Sequence, residues 1–411
     1  MAQTFLIRAD RVIDGVADKP VDHGAVLVEG DRILAVGRAA DLGAPDGATM
    51  IDAPGATLMP GLIDAHVHLA YSGASDKSLF RSEQADLNWA SVALRAAKYA
   101  RDSLRMGFTG LRDMHGPGGA IIDLARAIDA GHVDGPRIVA CGQGLSITGG
   151  HMDPPGWADH ATFDNMTCAC DGPDGFVRGV RQQIKRGARF IKLNTCTSTS
   201  AVPGRYCRFE MSPAEIRAAC DEAHLQGYMV AAHTIGEEPL AESIRCGVDC
   251  VEHAHFTDPS IIELMVERGT WFVPTLLVNE RNFELTPEQL NADARHMAWL
   301  EASREAKWKT LEMARKAGVK IASGTDAGFL IPHADMNWRE LALLEQGGLT
   351  AMEAIRAATA ANADLLGIDA GRLQEGRLAD MVLVDGDPLS DLSVLSDQAR
   401  LRVFLGGREI Q

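Results

Sequence analysis

Eight short apolar runs, separated by helix-like or loop-like stretches, recur through the middle of this chain. This regular alternation is typical of an α/β fold with a parallel sheet, and eight repeats favour a (β/α)8 TIM barrel. An open doubly wound sheet is the alternative, but it normally carries an early glycine-rich dinucleotide-binding turn, which this sequence lacks. The runs occupy residues 62–65, 108–112, 137–140, 190–194, 229–232, 248–252, 271–275 and 319–323.

The two ends of the chain differ from its middle. Residues 5–13, 24–29 and 32–37 near the N-terminus are rich in strand-forming residues, as are residues 379–385 and 401–408 near the C-terminus. We therefore expect short strands and turns at both ends.

Composition and charge narrow the partners of this protein. A formal net charge of −16 argues against nucleic acid and anionic membranes as main partners. No stretch reaches the roughly 18 to 20 apolar residues of a membrane span. The first residues show no basic region followed by an apolar core, so we expect a cytoplasmic protein. Its 411 residues suffice for one large domain and a smaller one.

The 8 cysteines are scattered, and no two of them form a CxxC pair. In a cytosolic protein such cysteines are expected to be free thiols. Cys168 and Cys170 are close enough in sequence to leave a disulfide or a second metal site open.

Two histidines one residue apart, His66 and His68, follow the first apolar run. Side chains at positions i and i+2 of a strand point to the same face, so these imidazoles are expected to project together. Converging imidazoles suit a divalent metal. With 13 histidines in the chain one such pair is weak evidence, so its value depends on ligands at later strand ends.

Metal-compatible side chains do lie at later runs: Lys192 in the fourth, His233 after the fifth, His253 after the sixth and Asp326 after the eighth. Each has an ordinary interpretation by itself, as a packed histidine, a lysine that reaches solvent or an acid that caps a helix. Active sites of such barrels are built at the C-terminal ends of the strands. The joint placement therefore predicts a binuclear metal site.

Several local strings resemble the amidohydrolase superfamily of metal-dependent hydrolases. They are Met-Pro-Gly-Leu-Ile-Asp-Ala-His-Val-His at 59–68, Val-Glu-His at 251–253, Gly-Thr-Asp-Ala-Gly at 324–328 and Gly-Arg-Leu-Ala-Asp-Met-Val-Leu-Val at 376–384. Gly-Gly-His at 149–151 is similar to the imidazolonepropionase-like and Xaa-Pro dipeptidase-like branch. The resemblance covers nearly the whole chain. It implies a hydrolase barrel over residues 59–367 and a small β-sandwich domain from residues 1–58 and 368–411.

The resemblance also implies two metal positions. The more buried metal would be held by His66, His68 and Asp326, and the second by His233 and His253. Zinc fits this set of nitrogen and oxygen ligands, with manganese and cobalt as alternatives.

Lys192 and Asp326 would have further roles in the chemistry. Burial on a strand depresses the pKa of a lysine, so that its neutral amine can react with carbon dioxide. The resemblance implies that Lys192 bridges the two metals as an N6-carboxylated lysine. Two divalent cations lower the pKa of a bridging water toward neutrality. Asp326 would accept a proton from this water and pass it to the leaving nitrogen.

Substrate contacts are expected on the loops that follow the strands. His151 follows the third strand, Arg205 and Tyr206 the fourth, and His255 the sixth. Arg205 suits a substrate carboxylate, since arginine pairs with carboxylates in a bidentate manner. Ile235 stands where many peptidase-like members have a tyrosine. An apolar residue there favours a bulkier or aromatic substrate group over a plain dipeptide.

These features favour a binuclear amidohydrolase that cleaves an amide C–N bond of a small molecule, either a dipeptide or an N-acyl amino acid. Hydrolysis of a cyclic amide or urea-like substrate, as in imidazolonepropionase, is the second hypothesis. A barrel without catalysis is the third, although the complete ligand set speaks against it. A mononuclear deaminase is disfavoured because Lys192 would then have no evident role. A homo-oligomer stays open.

One segment between the seventh and eighth runs, residues 276–309, is longer than a simple connection. It is predicted to contain a helix over 287–309 that carries Trp299 and Trp308. A lid, an oligomer contact and a plain structural helix are the alternatives.

Overall fold

The computed structural model describes residues 3–76, 79, 82–83, 88–153, 167–197 and 207–411. Its strands are β1 (Thr4–Val12), β2 (Val21–Glu29), β3 (Arg32–Arg38), β4 (Thr49–Pro60), β5 (Leu62–Val67), β6 (Phe108–Asp113), β7 (Arg137–Ala140), β8 (Gly144–Ser146), β9 (Thr167–Ala169), β10 (Ile191–Asn194), β11 (Val230–Thr234), β12 (Cys250–His253), β13 (Trp271–Val273), β14 (Lys320–Ile321), β15 (Met381–Asp385), β16 (Leu401–Leu405) and β17 (Arg408–Glu409).

Its helices are α1 (Trp89–Arg105), α2 (Ala120–Asp129), α3 (Gly172–Arg186), α4 (Pro213–Leu225), α5 (Glu237–Arg245), α6 (Pro259–Arg268), α7 (Leu276–Arg281), α8 (Ala294–Ala317), α9 (Arg339–Gln346), α10 (Ala351–Arg356) and α11 (Asn362–Leu366). A π-helical turn, Ala357–Ala361, joins α10 to α11. Within the described ranges, no helix combines the length and the apolarity that crossing a membrane requires.

Eight strands form the predicted barrel. Each of the eight apolar runs overlaps one of them, in the order β5, β6, β7, β10, β11, β12, β13 and β14. The strands β5 to β7 pair in parallel, as do β10 to β14. Every residue of β5, β6 and β10 is buried, as expected of parallel strands that are covered on both faces. The prediction of an α/β TIM barrel is confirmed.

Two further pairings connect these strand groups. Beyond β7 the chain bends at Gly142, whose φ is 73°, and continues as β8. Leu145 of β8 then pairs with Leu193 of β10. On the other side, Val67 at the end of β5 pairs with Ala327 beyond β14. The loops that follow the strands therefore lie together at one end of the barrel.

Strands from both ends of the chain form one seven-stranded sheet in the order β17-β16-β15-β4-β1-β2-β3. This confirms a β-rich domain built from both termini. The prediction missed β4, because Pro54 and Gly55 interrupt its sequence. The pairing of β1 with β4 shifts register between Ala9 and Arg11. Pro54 and Gly55 lie opposite this shift, at a bulge of β4. Proline and glycine are tolerated at a bulge, which allows the strand to continue.

The segment between the seventh and eighth barrel strands contains α7 and α8. Helix α8 begins later than predicted, at Ala294, after Asp293 accepts a hydrogen bond from His296 N, and it runs on to Ala317. Its side chains Leu300, Ser303 and Lys307 are buried. Helix α8 is thus packed against the barrel along one face.

Candidate metal centre

Four histidines gather at the C-terminal ends of the barrel strands. The ring centroid of His66 lies 5.3 Å from that of His68 and 5.0 Å from that of His253. The rings of His233 and His253 are 4.8 Å apart. All four side chains are buried. The structure brings together the histidines that the sequence placed at the first, fifth and sixth strand ends.

Asp326 forms a compact group with His66 and His68. Its Oδ1 lies 3.0 Å from His68 Nε2 and 3.5 Å from His66 Nε2. One ligand atom from each of the three residues lies within 4.8 Å of the others, as a metal site requires. A Cβ at Gly324 would lie 2.7 Å from His66 Cβ, and one at Gly328 would lie 2.2 Å from the His68 carbonyl oxygen. Glycine at both positions therefore lets the Asp326 loop lie against β5.

The hydrogen bonds of His66 determine which of its nitrogens faces Asp326. Arg112 Nη2 donates to Glu252 Oε1 at 2.7 Å, and His66 Nδ1 lies 2.7 Å from Glu252 Oε2. Burial opposes ionisation of Glu252, but Arg112 and His66 outweigh it and lower the pKa of Glu252 to about 2. An ionised carboxylate only accepts hydrogen bonds, so His66 Nδ1 donates. Burial also lowers the pKa of His66 to about 4, which keeps the ring neutral and leaves a lone pair on Nε2.

This arrangement fits a cation between His66 and Asp326. Burial pushes the pKa of Asp326 upward, but its interactions with His66, His68 and Lys192 outweigh this effect and hold the pKa below the usual range. The ionised Asp326 and the lone pair of His66 Nε2 are both acceptors, and they face each other at 3.5 Å. A divalent metal bound by imidazole and carboxylate removes this conflict.

His233 and His253 form the second pair. Burial lowers the pKa of each imidazole well below its ordinary value, so both are neutral. His253 Nδ1 lies 2.7 Å from Thr275 Oγ1. The buried Nε2 of His233 has no hydrogen-bond partner among the described residues. A neutral imidazole with an unpartnered nitrogen is suited to ligate a metal.

Lys192 lies on β10 with 1% of its surface exposed. Burial lowers its pKa, although the nearby carboxylate of Glu252 partly opposes this shift. Lys192 is close enough to His66, His233 and His253 to influence the pKa of each imidazole. Burial thus favours the neutral form of this amine.

The strand ends at the site have an unusual backbone. His253, Thr275 and Asp326 have φ angles of 72°, 48° and 66°, in the left-handed region that residues with a side chain rarely adopt. Glu252 and His253 are consecutive, yet both side chains contact His66. Consecutive residues of a regular strand point to opposite faces. The left-handed turn at His253 ends β12 and changes the direction of this side chain.

The residues predicted to contact the substrate differ in their position relative to the candidate ligands. His151 stacks on His233 with 4.3 Å between ring centroids. His255 is 6.4 Å from His253, and its Nδ1 contacts Ser303 Oγ of α8. Ile235 is 2% exposed, and its backbone N–H donates to Cys196 Sγ at 3.1 Å. Arg205 and Tyr206 lie outside the described residues.

Three polar residues at the site were not singled out from the sequence. Arg112 and Glu252 form the buried ion pair behind His66, and the ring of His115 stacks on that of His68 at 5.3 Å. The available signal was a charged residue within an apolar run, as for Lys192. The two thiols noted in the sequence, Cys168 and Cys170, are unbridged, with 3.8 Å between their sulfur atoms.

Comparison with known proteins gives consistent matches. The model of the amidohydrolase family matches residues 57–410. Ochratoxinase from Aspergillus niger is 32% identical, over 99% of this chain and 86% of that protein. A crystal structure of a Xaa-Pro dipeptidase with bound methionine in the active site is 30% identical, with a TM-score of 0.89 over 100% of both chains. A prolidase complexed with N-methylphosphonate-L-proline is 29% identical, with a TM-score of 0.87 over 100% of both chains.

Proposed function

The chain belongs to the amidohydrolase family, whose members generally use divalent metals, and is a hydrolase of amide C–N bonds; from this premise we propose that it holds two zinc ions and cleaves an N-acyl amino acid or a dipeptide. The observation that carries the proposal is the pair of ligand groups at the strand ends. His66, His68 and Asp326 form one, and His233 and His253 the other. Five ligands of two kinds exceed what one tetrahedral metal takes from protein side chains.

Lys192 supplies the ligand shared by both positions. Its neutral Nζ forms a bond to the carbon of carbon dioxide and releases one proton to water, which leaves an anionic carbamate. Burial on β10 favours this step because it lowers the pKa of the amine. The carbamate would add oxygen ligands to those of the histidines and Asp326.

When bound, the cations would supply positive charge that polarises the scissile carbonyl and makes water more acidic. Asp326 accepts the proton of that water and later donates it to the leaving nitrogen. Its carboxylate is ionised and lies 3.0 Å from His68 Nε2, which holds it in the site. His151 stacks on His233, and we expect it to contact the substrate from this position.

The substrate class rests on the relatives and on Ile235. One relative is a Xaa-Pro dipeptidase with bound methionine in the active site, and another is a prolidase complexed with N-methylphosphonate-L-proline. Ile235 is buried and its side chain offers no hydrogen bond. We therefore propose that the preferred substrate is an N-acyl amino acid or a dipeptide that carries an apolar side chain or a bulky acyl group.

Metal analysis tests the centre. We expect about two zinc ions per chain after expression with zinc. Lys192→Ala should retain at most one and lose turnover, whereas the exposed Lys185→Ala should behave as the unaltered protein. A protein without metal after this expression, or a Lys192→Ala variant with unchanged turnover, contradicts the proposal.

A substrate screen with the zinc-loaded protein tests the class. N-acyl amino acids with apolar side chains should be hydrolysed faster than dipeptides of small residues. The variant Ile235→Tyr should reduce the difference in hydrolysis rate between these two substrate classes. Turnover of a cyclic amide and of none of these compounds would favour the alternative of an imidazolonepropionase-like hydrolase. Absence of turnover with every class despite two bound metals would favour a barrel without catalysis.

A further inference from the structure

A buried polar network outside the proposed ligands lies directly behind His66. It consists of Glu252 on β12 and Arg112 on β6, which are fully enclosed in the barrel. Burying an ion pair in a barrel core is not favourable in itself, because desolvation offsets the attraction between the charges. Such a pair therefore indicates a purpose other than stability.

The geometry of the pair shows what it does to His66. The two oxygens of Glu252 have separate partners: Oε1 accepts from Arg112 Nη2, and Oε2 faces His66 Nδ1, both at 2.7 Å. The guanidinium is fixed in turn, since its Nε donates to the carbonyl oxygen of Ala65 at 2.5 Å. Cys250 Sγ also donates to Oε1, at 3.0 Å. Glu252 is thus held against rotation, and only Oε2 is left for the imidazole.

We propose that Glu252, fixed by Arg112, is a positioning residue that keeps the proton of His66 on Nδ1 and so presents the Nε2 lone pair to the metal shared with Asp326. An imidazole free of this contact would exchange its proton between both nitrogens and rotate. This proposal rests on the proposed function for the metal, but the placement of the proton is a property of the protein without metal.

The first measurement is made on the metal-free protein without any substitution. Nitrogen-15 NMR of labelled histidines distinguishes the two tautomers of a neutral ring, and His66→Gln identifies the signal. We expect His66 to carry its proton on Nδ1. A proton on Nε2, or a mixture of both forms, overturns the proposal whether or not the protein binds zinc.

The second measurement is zinc affinity by competition with a chelator. Glu252→Gln should weaken binding at one of the two positions by roughly 10- to 100-fold and populate the second tautomer of His66. The control is Glu222→Gln, which breaks another arginine–glutamate pair, with Arg181, between α3 and α4. Equal zinc affinity and an unchanged tautomer in Glu252→Gln contradict the proposal. If the unaltered protein bound no zinc, that result would instead contradict the proposed function.

Discussion

The two halves of the candidate centre receive their support from different parts of the fold. Behind His66, the supporting groups Glu252 and Arg112 both lie on barrel strands. Behind His253, the supporting group is Thr275, which follows β13, and it is contacted by Lys307 from α8. One half is therefore supported within the barrel itself and the other by a helix inserted between two of its strands.

This difference indicates how each half depends on the rest of the molecule. Glu252 is positioned by the parallel pairing of β12 with β11 and β13. Lys307 Nζ donates to the Thr275 carbonyl oxygen at 2.7 Å and lies 3.2 Å from Thr275 Oγ1. The geometry of His253 thus depends on how α8 packs. The helix is anchored at the site, which favours a structural role over a lid.

The largest effect is expected from a substitution in the half supported by strands. Asp326→Asn removes the proposed proton acceptor, so turnover should fall by roughly 10²- to 10⁴-fold in steady-state kinetics. The exposed Asp335→Asn, on the loop that follows, is the matched control and should keep its activity. A loss smaller than tenfold in Asp326→Asn would place the proton transfer elsewhere.

Unfolding stability should separate the two buried basic residues, Arg112 and Lys307; burial lowers the pKa of Lys307 to about 7. Arg112→Met leaves Glu252 as an unpaired buried charge, which costs about 3–5 kcal/mol of unfolding free energy. Lys307→Met removes hydrogen bonds to Thr275, whose side chain carries no charge. The expected loss of unfolding free energy is therefore only about 1–3 kcal/mol. Denaturant unfolding of the metal-free variants measures both values. Similar losses of unfolding free energy in the two variants would show that the two halves do not differ in how much a buried basic residue stabilises them.

The hydroxyl group of Thr275 gives a sharper test of the half supported by the helix. Thr275→Val removes the partner of His253 Nδ1 and should weaken zinc binding about tenfold. Thr275→Ser retains the hydroxyl and should bind zinc as the unaltered protein does, as measured by chelator competition. Equal weakening by both variants would attribute the effect to packing.

The smallest effect is expected at the outer side of α8. Trp308 Nε1 donates to Glu280 Oε1 at 3.0 Å. Trp308→Phe removes this hydrogen bond and keeps an aromatic ring, so the unfolding free energy should fall by about 1 kcal/mol. The value of kcat/KM should be unchanged. A raised KM with unchanged stability would instead support a lid.

The barrel was predictable because most residues of its strands are buried, which gives each run enough apolar residues to be recognised. The candidate ligands were predictable because they follow these runs directly. Strand β4 was missed because a bulge, which depends on its pairing with β1, accommodates Pro54 and Gly55. No local pattern shows a bulge that forms between distant segments.

The support behind the ligands was not predictable for a similar reason. Arg112 and Glu252 are 140 residues apart and meet only across the closed barrel. The sequence marked each as a charged residue beside apolar ones, but it contained no signal for their pairing. The left-handed φ at His253 was equally hidden, because glycine or asparagine usually marks such positions.

The left-handed residues at the strand ends have a consequence for variation of this protein. His253, Thr275 and Asp326 each hold a backbone conformation that costs about 1–3 kcal/mol for a residue with a side chain. Glycine would relieve that strain at each position, and asparagine would reduce it at Asp326. A laboratory selection for thermal stability alone would therefore enrich these replacements and yield a more stable protein with an inactive site. Selection for both properties should conserve the three residues and gain stability elsewhere.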